Sequence, residues 1–184
     1  GEHGHWMKRT LFDNGTRIPL IVSGPGINKN EKIMDAPIEM IDIYPTLMDL
    51  TGKKTPSFVS GKSFASLLKD SSKRVRKSAL TELIIGSKDE AVQGYSIKTN
   101  RYRLTQWGEN GIHGYELYDH KFDKPELNNL ADEEAYRVLK DSLKKVIRDR
   151  IADARKIPDG IGQQNIPKET GEPKPIYSQP KSKF

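Results

Sequence analysis

The polar and apolar positions of the chain change rhythm after Ser78. In Tyr102-Arg103-Leu104-Thr105-Gln106-Trp107, and again in Tyr115-Glu116-Leu117-Tyr118-Asp119, large apolar residues alternate with polar ones. That alternation predicts antiparallel strands with one face covered. Ala79 to Ile85 and Gln93 to Thr99 read as two further strands, with Asn100-Arg101 as the tight turn into the third. From Asp132 to Ala154 the period lengthens to that of a helix. Tyr136, Leu139, Leu143, Val146, Ile147 and Ile151 share one face, acids occupy the first turn, and Lys144, Lys145 and Arg148 follow. This helix is expected to lie across the sheet.

The preceding residues are less regular. Ile18 to Val22 is continuously apolar and is stopped by Ser23-Gly24-Pro25-Gly26, so Arg17 to Pro25 predicts a short strand buried on both faces and starting after Pro19. Asn28 to Asp35 reads as a loop and Ala36 to Ile41 as a second extended stretch. Asp42 caps a helix that runs to Thr51, with Pro45 in its first turn and Gly52 at its C-terminal cap. A basic connector, Lys53 to Val59, leads to a short amphipathic helix within Gly61 to Leu68. The chain therefore divides into 1–56, 57–155 and 156–184. The last part holds five prolines and no apolar periodicity, and is expected to be extended or disordered.

Composition narrows the function classes. A chain of 184 residues can bury one modest core. The net charge of +6 comes from 31 basic against 25 acidic residues, mixed in sign, which is too diffuse to indicate nucleic acid. With no cysteine, disulfides, thiolate metal sites and cysteine nucleophiles are excluded within the chain. No run approaches the roughly twenty apolar residues that span a bilayer, so no membrane partner is expected. Gly1 in place of Met, followed at once by a dense Gly/His/Trp cluster, suggests that the chain begins in mid-protein.

Candidate chemistry concentrates in Gly1-Glu2-His3-Gly4-His5-Trp6-Met7-Lys8, followed by Phe12-Asp13-Asn14-Gly15-Thr16-Arg17-Ile18-Pro19. His3 and His5, two positions apart, could share one face of an extended segment and bind metal, but no third ligand accompanies them. Trp6 can pack on a sugar ring or fill a core. Asp13 reads as a hydrogen-bonded structural acid, and Arg17 as the tie from this segment to a sheet. Trp107, Glu109 and His113 flank a Gly-rich loop, the kind of segment that carries binding residues.

On these residues the chain resembles the type I sulfatases of the alkaline-phosphatase superfamily, most closely iduronate-2-sulfatase-like members. There a Gly-Glu-His-Gly stretch precedes an active-site lysine, and Phe-Asp…Arg-x-Pro leads into a strand. His5 departs from the glutamate of those relatives. The likeness continues in order through Asp42-Ile43-Tyr44-Pro45-Thr46-Leu47, Ser60-Gly61-Lys62-Ser63-Phe64, Glu116-Leu117-Tyr118-Asp119 and Pro125-Glu126-Leu127-Asn128-Asn129-Leu130, so it covers residues 1 to 155.

The resemblance implies an α/β fold: the end of a large catalytic domain, followed by a small α+β subdomain with a four-stranded antiparallel sheet and a C-terminal helix. It implies hydrolysis of sulfate esters, with a sulfated carbohydrate as substrate. Lys8 would bind the sulfate, since a fixed ammonium offsets the charge that gathers as the S–O bond breaks. His3 and Trp6 would lie beside it, and Trp107 and His113 would help choose the sugar. It also implies calcium and formylglycine, with both sets of residues upstream. Formylglycine arises from a Cys/Ser-x-Pro-x-Arg motif, whereas the one Ser-x-Pro here, Ser178-Gln179-Pro180, continues Lys181-Ser182. The chain alone is therefore expected to be inactive and to have the N-terminal part of the same protein as its partner, in a periplasmic or extracellular setting. Two other readings are a phosphoester or phosphonate hydrolase of the same superfamily and a noncatalytic polyanion-binding module.

Overall fold

The computed structural model describes residues 2–4, 6, 9–25, 27, 34–86 and 90–156. Four helices occur among the described residues: the single turn α1 (Asp13–Thr16), α2 (Ile43–Leu50), α3 (Ala65–Lys69) and the long α4 (Arg137–Ala154). Strands β1 (Ala79–Ile85), β2 (Val92–Lys98), β3 (Tyr102–Trp107) and β4 (Tyr115–Asp119) form one antiparallel sheet in sequence order. Alternation thus located every strand to within a residue. The β2–β3 turn closes where the Thr99 amide donates to the Tyr102 carbonyl at 2.8 Å, and Lys98 opposite Arg103 and Leu104 opposite Leu117 fix the register.

Two cores result. In the first, Leu143, Ile147 and Ile151 of α4 pack on Tyr95, Ile97, Leu104 and Leu117 of the sheet, each fully buried aliphatic side chain contributing about 1.5–3 kcal/mol. The helix starts later than its periodicity suggests. Ahead of it the Asn129 carboxamide oxygen accepts the Leu117 and Ala131 amides at 2.9 and 3.0 Å, which fastens residues 129–131 to β4.

The second core gathers Phe64, Leu67 and Leu68 with Val22, Met34, Ile38, Ile43, Leu50 and Val75. Beneath it lies Asp42, whose carboxylate accepts the Lys62 amide at 2.7 Å, the Glu39 amide at 2.9 Å and the Arg76 guanidinium. Burial pushes this carboxyl up, but Arg76 and the two amides outweigh it and hold it below the usual carboxylate range. Gly52 closes α2 at φ 68°, the left-handed conformation a C-terminal cap requires.

Three expectations are corrected. Residues 17–24 form no strand and have no ladder partner among the described residues; Ile21 is 91% exposed. A continuously apolar strand needs neighbours at its edges and on both faces; among the described residues Val22 packs into the second core, but the run has no edge partner and Ile18, Leu20 and Ile21 are exposed. Residues 34–39 are irregular, and Met40–Asp42 is a helical turn in place of the end of an extended stretch. The sheet is also covered on both faces at its centre, because Ser96, Arg103 and Thr105 are each 1% exposed. The tail beyond Lys156 lies outside the described residues.

Candidate functional site

The sheet face opposite α4 receives the N-terminal segment. Arg103 stands at its centre, where an unpaired charge would be costly. Its Nε donates to Glu126 Oε1 at 2.5 Å, Nη2 to Asp13 Oδ1 at 2.7 Å and Thr16 Oγ1 at 3.0 Å, and Nη1 to Ser96 Oγ at 3.1 Å. Glu126 also accepts the Asp13 amide at 2.6 Å and meets His120 Nε2 at 2.6 Å. Burial raises the Glu126 carboxyl, but His120, Arg103 and the Asp13 amide together draw it below its ordinary range. Glu126 adopts φ 59°, a left-handed conformation held by these bonds. On the same face burial pulls the Lys98 ammonium below its usual range.

This arrangement ties α1, and with it the motif just upstream, to the sheet. Arg103 makes that tie. Arg17, expected to do so, is largely exposed and meets Asp13 at 3.9 Å. A second tie lies at the end of β1, where Arg9 Nη2 donates to the Ile84 carbonyl at 2.9 Å. Ile84 pairs with Gln93, Gly94 with Trp107, and Gln106 with Tyr115. The motif therefore meets the same end of the sheet that carries Trp107 and the β3–β4 loop.

At that end Leu11 and the Trp107 ring both lie over Gly94, and a Cβ there would meet them at 2.7 and 2.4 Å. Only glycine admits this approach. Trp107 Nε1 donates to Glu116 Oε1 at 3.1 Å. His3, at φ 54°, stacks on Phe12 with centroids 3.8 Å apart and planes 7° apart, and Phe12 meets Tyr118 edge-on at 5.9 Å. Burial pushes the Glu116 carboxyl up, against hydrogen bonds from Trp107 and Tyr118 and the influence of His3. Tyr118 is pushed far above its usual range, by burial first and then by the Glu116 charge.

Of the residues singled out from sequence, Trp107 bonds Glu116, and His3 stacks on Phe12, which meets Tyr118 of the same strand. Trp6 is 90% exposed. His113 is exposed in the loop after Trp107, its amide donating to the Trp107 carbonyl at 3.0 Å and its ring over Gly108. His5 and Lys8 lie outside the described residues.

Asp13, His120 and Glu126 place three ligand atoms within 4.8 Å of one another. They do not fit a metal. The Arg103 guanidinium already bonds both carboxylates there and would repel a second cation, while calcium requires about six to eight oxygens.

A family model described as N-sulphoglucosamine sulphohydrolase, C-terminal, matches residues 1–153. The chain belongs to this family. Similar to this C-terminal sulfatase chain is a sulfatase of Formosa agariphila, 32% identical over 147 residues, covering 80% of this chain and 27% of that protein. An N-acetylglucosamine-6-O-sulfatase of Bacteroides thetaiotaomicron is 29% identical over 153 residues, covering 81% and 27%. A solved 2-O GAG sulfatase matches with a TM-score of 0.63 at 28% identity, over 73% of this chain and 29% of that one. The chain spans about a quarter of the length of the curated relatives it matches.

Glu116, Arg103 and Glu126 were missed as site-building residues of this sulfatase chain. The signal for Arg103 is a charged residue on the second face of a strand whose neighbours on that face, Thr105 and Trp107, are not charged. Such a position is either solvated or matched by a buried acid. Glu126 lies in the Pro125-to-Leu130 segment that carried the resemblance, and its bonds to Asp13 and Arg103 give that segment a physical role.

Proposed function

We propose that the chain is the C-terminal portion of an enzyme that hydrolyses the sulfate ester of a carbohydrate. Lys8 holds the ester sulfate, and His3, Trp6, Trp107 and His113 meet the sugar around it. The observation that carries this reading is the bond from Arg9, the residue after Lys8 in sequence, to the Ile84 carbonyl at the sheet end that carries Trp107, with Asp13 held to Arg103 toward the opposite end. The Arg9 contact holds the chain just after Lys8 at the same end as Trp107 and the loop bearing His113. The relatives named for carbohydrate sulfate esters support the substrate class.

Among the described residues none fits the calcium or the formylglycine that the resemblance implies. They belong, on this reading, to the N-terminal part of the same protein. That part is also the proposed partner of the exposed apolar run Ile18, Leu20 and Ile21. Among the described residues no helix is long and apolar enough to cross a membrane, and a periplasmic or extracellular setting is proposed from the family.

The test is Lys8→Ala in the full-length protein, assayed on sulfated mono- and disaccharides. The expected result is a loss of at least about a hundredfold in kcat, the scale of one preorganised charge-stabilising group, with Tm unchanged. Turnover at the wild-type rate would remove Lys8 from the site.

A further inference from the structure

Leu11 and Asp13 fasten the N-terminal segment to the sheet on either side of Phe12, whose ring touches the motif histidine directly. We propose that Phe12 is a positioning residue that acts through His3, its ring setting the plane and place of the imidazole against the sugar. This inference rests on the sulfate-ester reading above, in which His3 meets the sugar, and adds to it the group that orients that histidine.

Phe12 is itself anchored. Before it, buried Leu11 lies over Gly94; after it, Asp13 bonds Arg103 at 2.7 Å. The Phe12 carbonyl accepts the Gly15 and Thr16 amides at 3.1 Å and the Thr16 hydroxyl at 3.0 Å. That hydroxyl also accepts from Arg103 at 3.0 Å. The Phe12 amide donates to Thr10 Oγ1 at 3.3 Å. Its ring is backed by the edge of Tyr118, a buried residue opposite Arg103 in the β3–β4 ladder, with centroids 5.9 Å apart. The Arg103 network thus fixes the backbone that carries the ring, and β4 supports the ring from behind.

The contact onward to His3 is one plane laid on another, with centroids 3.8 Å apart and planes 7° apart. Such a stack engages neither ring nitrogen, because the N–H and the lone pair of an imidazole lie in its plane. It orients the ring without using the atoms that would bond a sugar hydroxyl. His3 is half-buried and holds φ 54°, a left-handed backbone conformation found where surroundings over-determine it. Space-filling alone does not require this geometry. Any apolar side chain of similar volume fills a gap, and aromatic pairs commonly settle edge-on or offset with centroids about 4.5–7 Å apart. A ring this close and this nearly parallel specifies an orientation, which a ligand contact needs and packing does not.

The experiment is a double-mutant cycle in the full-length protein, read as kcat/KM on a sulfated disaccharide below the Tm of every variant. It pairs His3→Ala with Phe12→Leu, which keeps apolar volume and removes the flat face. Phe12→Leu is expected to lower kcat/KM about tenfold and to have no further effect in the His3→Ala background, while Phe12→Tyr, which retains the stack, stays within about twofold of wild type. Additive losses, or Phe12→Leu as active as wild type, would overturn the proposal; His3→Ala without effect would remove His3 from the site and the proposal with it. If Phe12→Leu does not fold, Phe12→Met enters the same cycle with the same outcomes. If the wild-type protein cleaves no sulfate ester, the functional reading fails by itself, and the NMR shifts of the His3 ring protons, assigned by their loss in His3→Ala, decide the inference. The Phe12 ring should hold them upfield and Phe12→Leu should release them; shifts indifferent to that substitution end it.

Discussion

On one face of the sheet Ile97, Leu104 and Leu117 meet Leu143 and Ile147 of α4. On the other, at the adjoining positions Ser96, Arg103 and Thr105, the seal is one guanidinium shared between Asp13, Glu126 and two hydroxyls. The first seal is non-directional and tolerates any filling of equal volume. The second works only in one arrangement, since each donor needs its own acceptor. The molecule uses the tolerant seal to hold its long helix and the directional one to hold the segment that carries the candidate site.

This contrast can be broken most directly at Arg103. Arg103→Ala strands two carboxylates on a buried face and is expected to cost about 3–5 kcal/mol in urea denaturation, with Arg103→Lys also destabilising because the planar fork is lost. On the apolar face Leu104→Ala should cost about 3 kcal/mol from the cavity it leaves, whereas Leu104→Met should cost less than about 1.5 kcal/mol. If Arg103→Lys proved as mild as Leu104→Met, the two faces would not differ as described.

The smallest expected effect sharpens the contrast through pH. Glu126 is held below the ordinary glutamate value of about 4.5 in the folded protein. Its contribution is therefore complete above that pH and is lost as pH falls through the lower folded value. Tm followed downward from pH 7 should show this loss below about pH 4.5, and Glu126→Gln should remove that part of the profile. An unchanged profile would mean that the ionised carboxylate does not hold this face.

Much of the fold was legible because strands and helices advertise their faces by period. Leu104 and Leu117 fall at alternating positions, and Leu143, Ile147 and Ile151 at helical ones, and they meet in the structure. The run Ile18 to Val22 misled for a physical reason: apolarity reports that a segment seeks burial, and among the described residues Val22 finds it in the second core while Ile18, Leu20 and Ile21 stay exposed. At the site, His3 and Trp107 were legible as unusual residues in a motif and beside a loop. Glu116 was not, because it alternates into its strand like any polar residue on an open face. Its bond to Trp107, nine residues away, becomes visible only once β3 and β4 pair.

The connectivity of the sheet also orders assembly in time. Each strand hydrogen-bonds to its neighbour in sequence, so the meander can close through short loops, the kind of contact that forms fastest. The Asp13–Arg103 bond joins residues ninety positions apart and must wait for a long closure. Capture of the N-terminal segment is then a late event laid over a finished scaffold, and by the same logic the first to reverse. In hydrogen exchange the Asp13 amide should lose protection before the paired amides of β2 and β3, a local release that leaves the sheet and its helix standing.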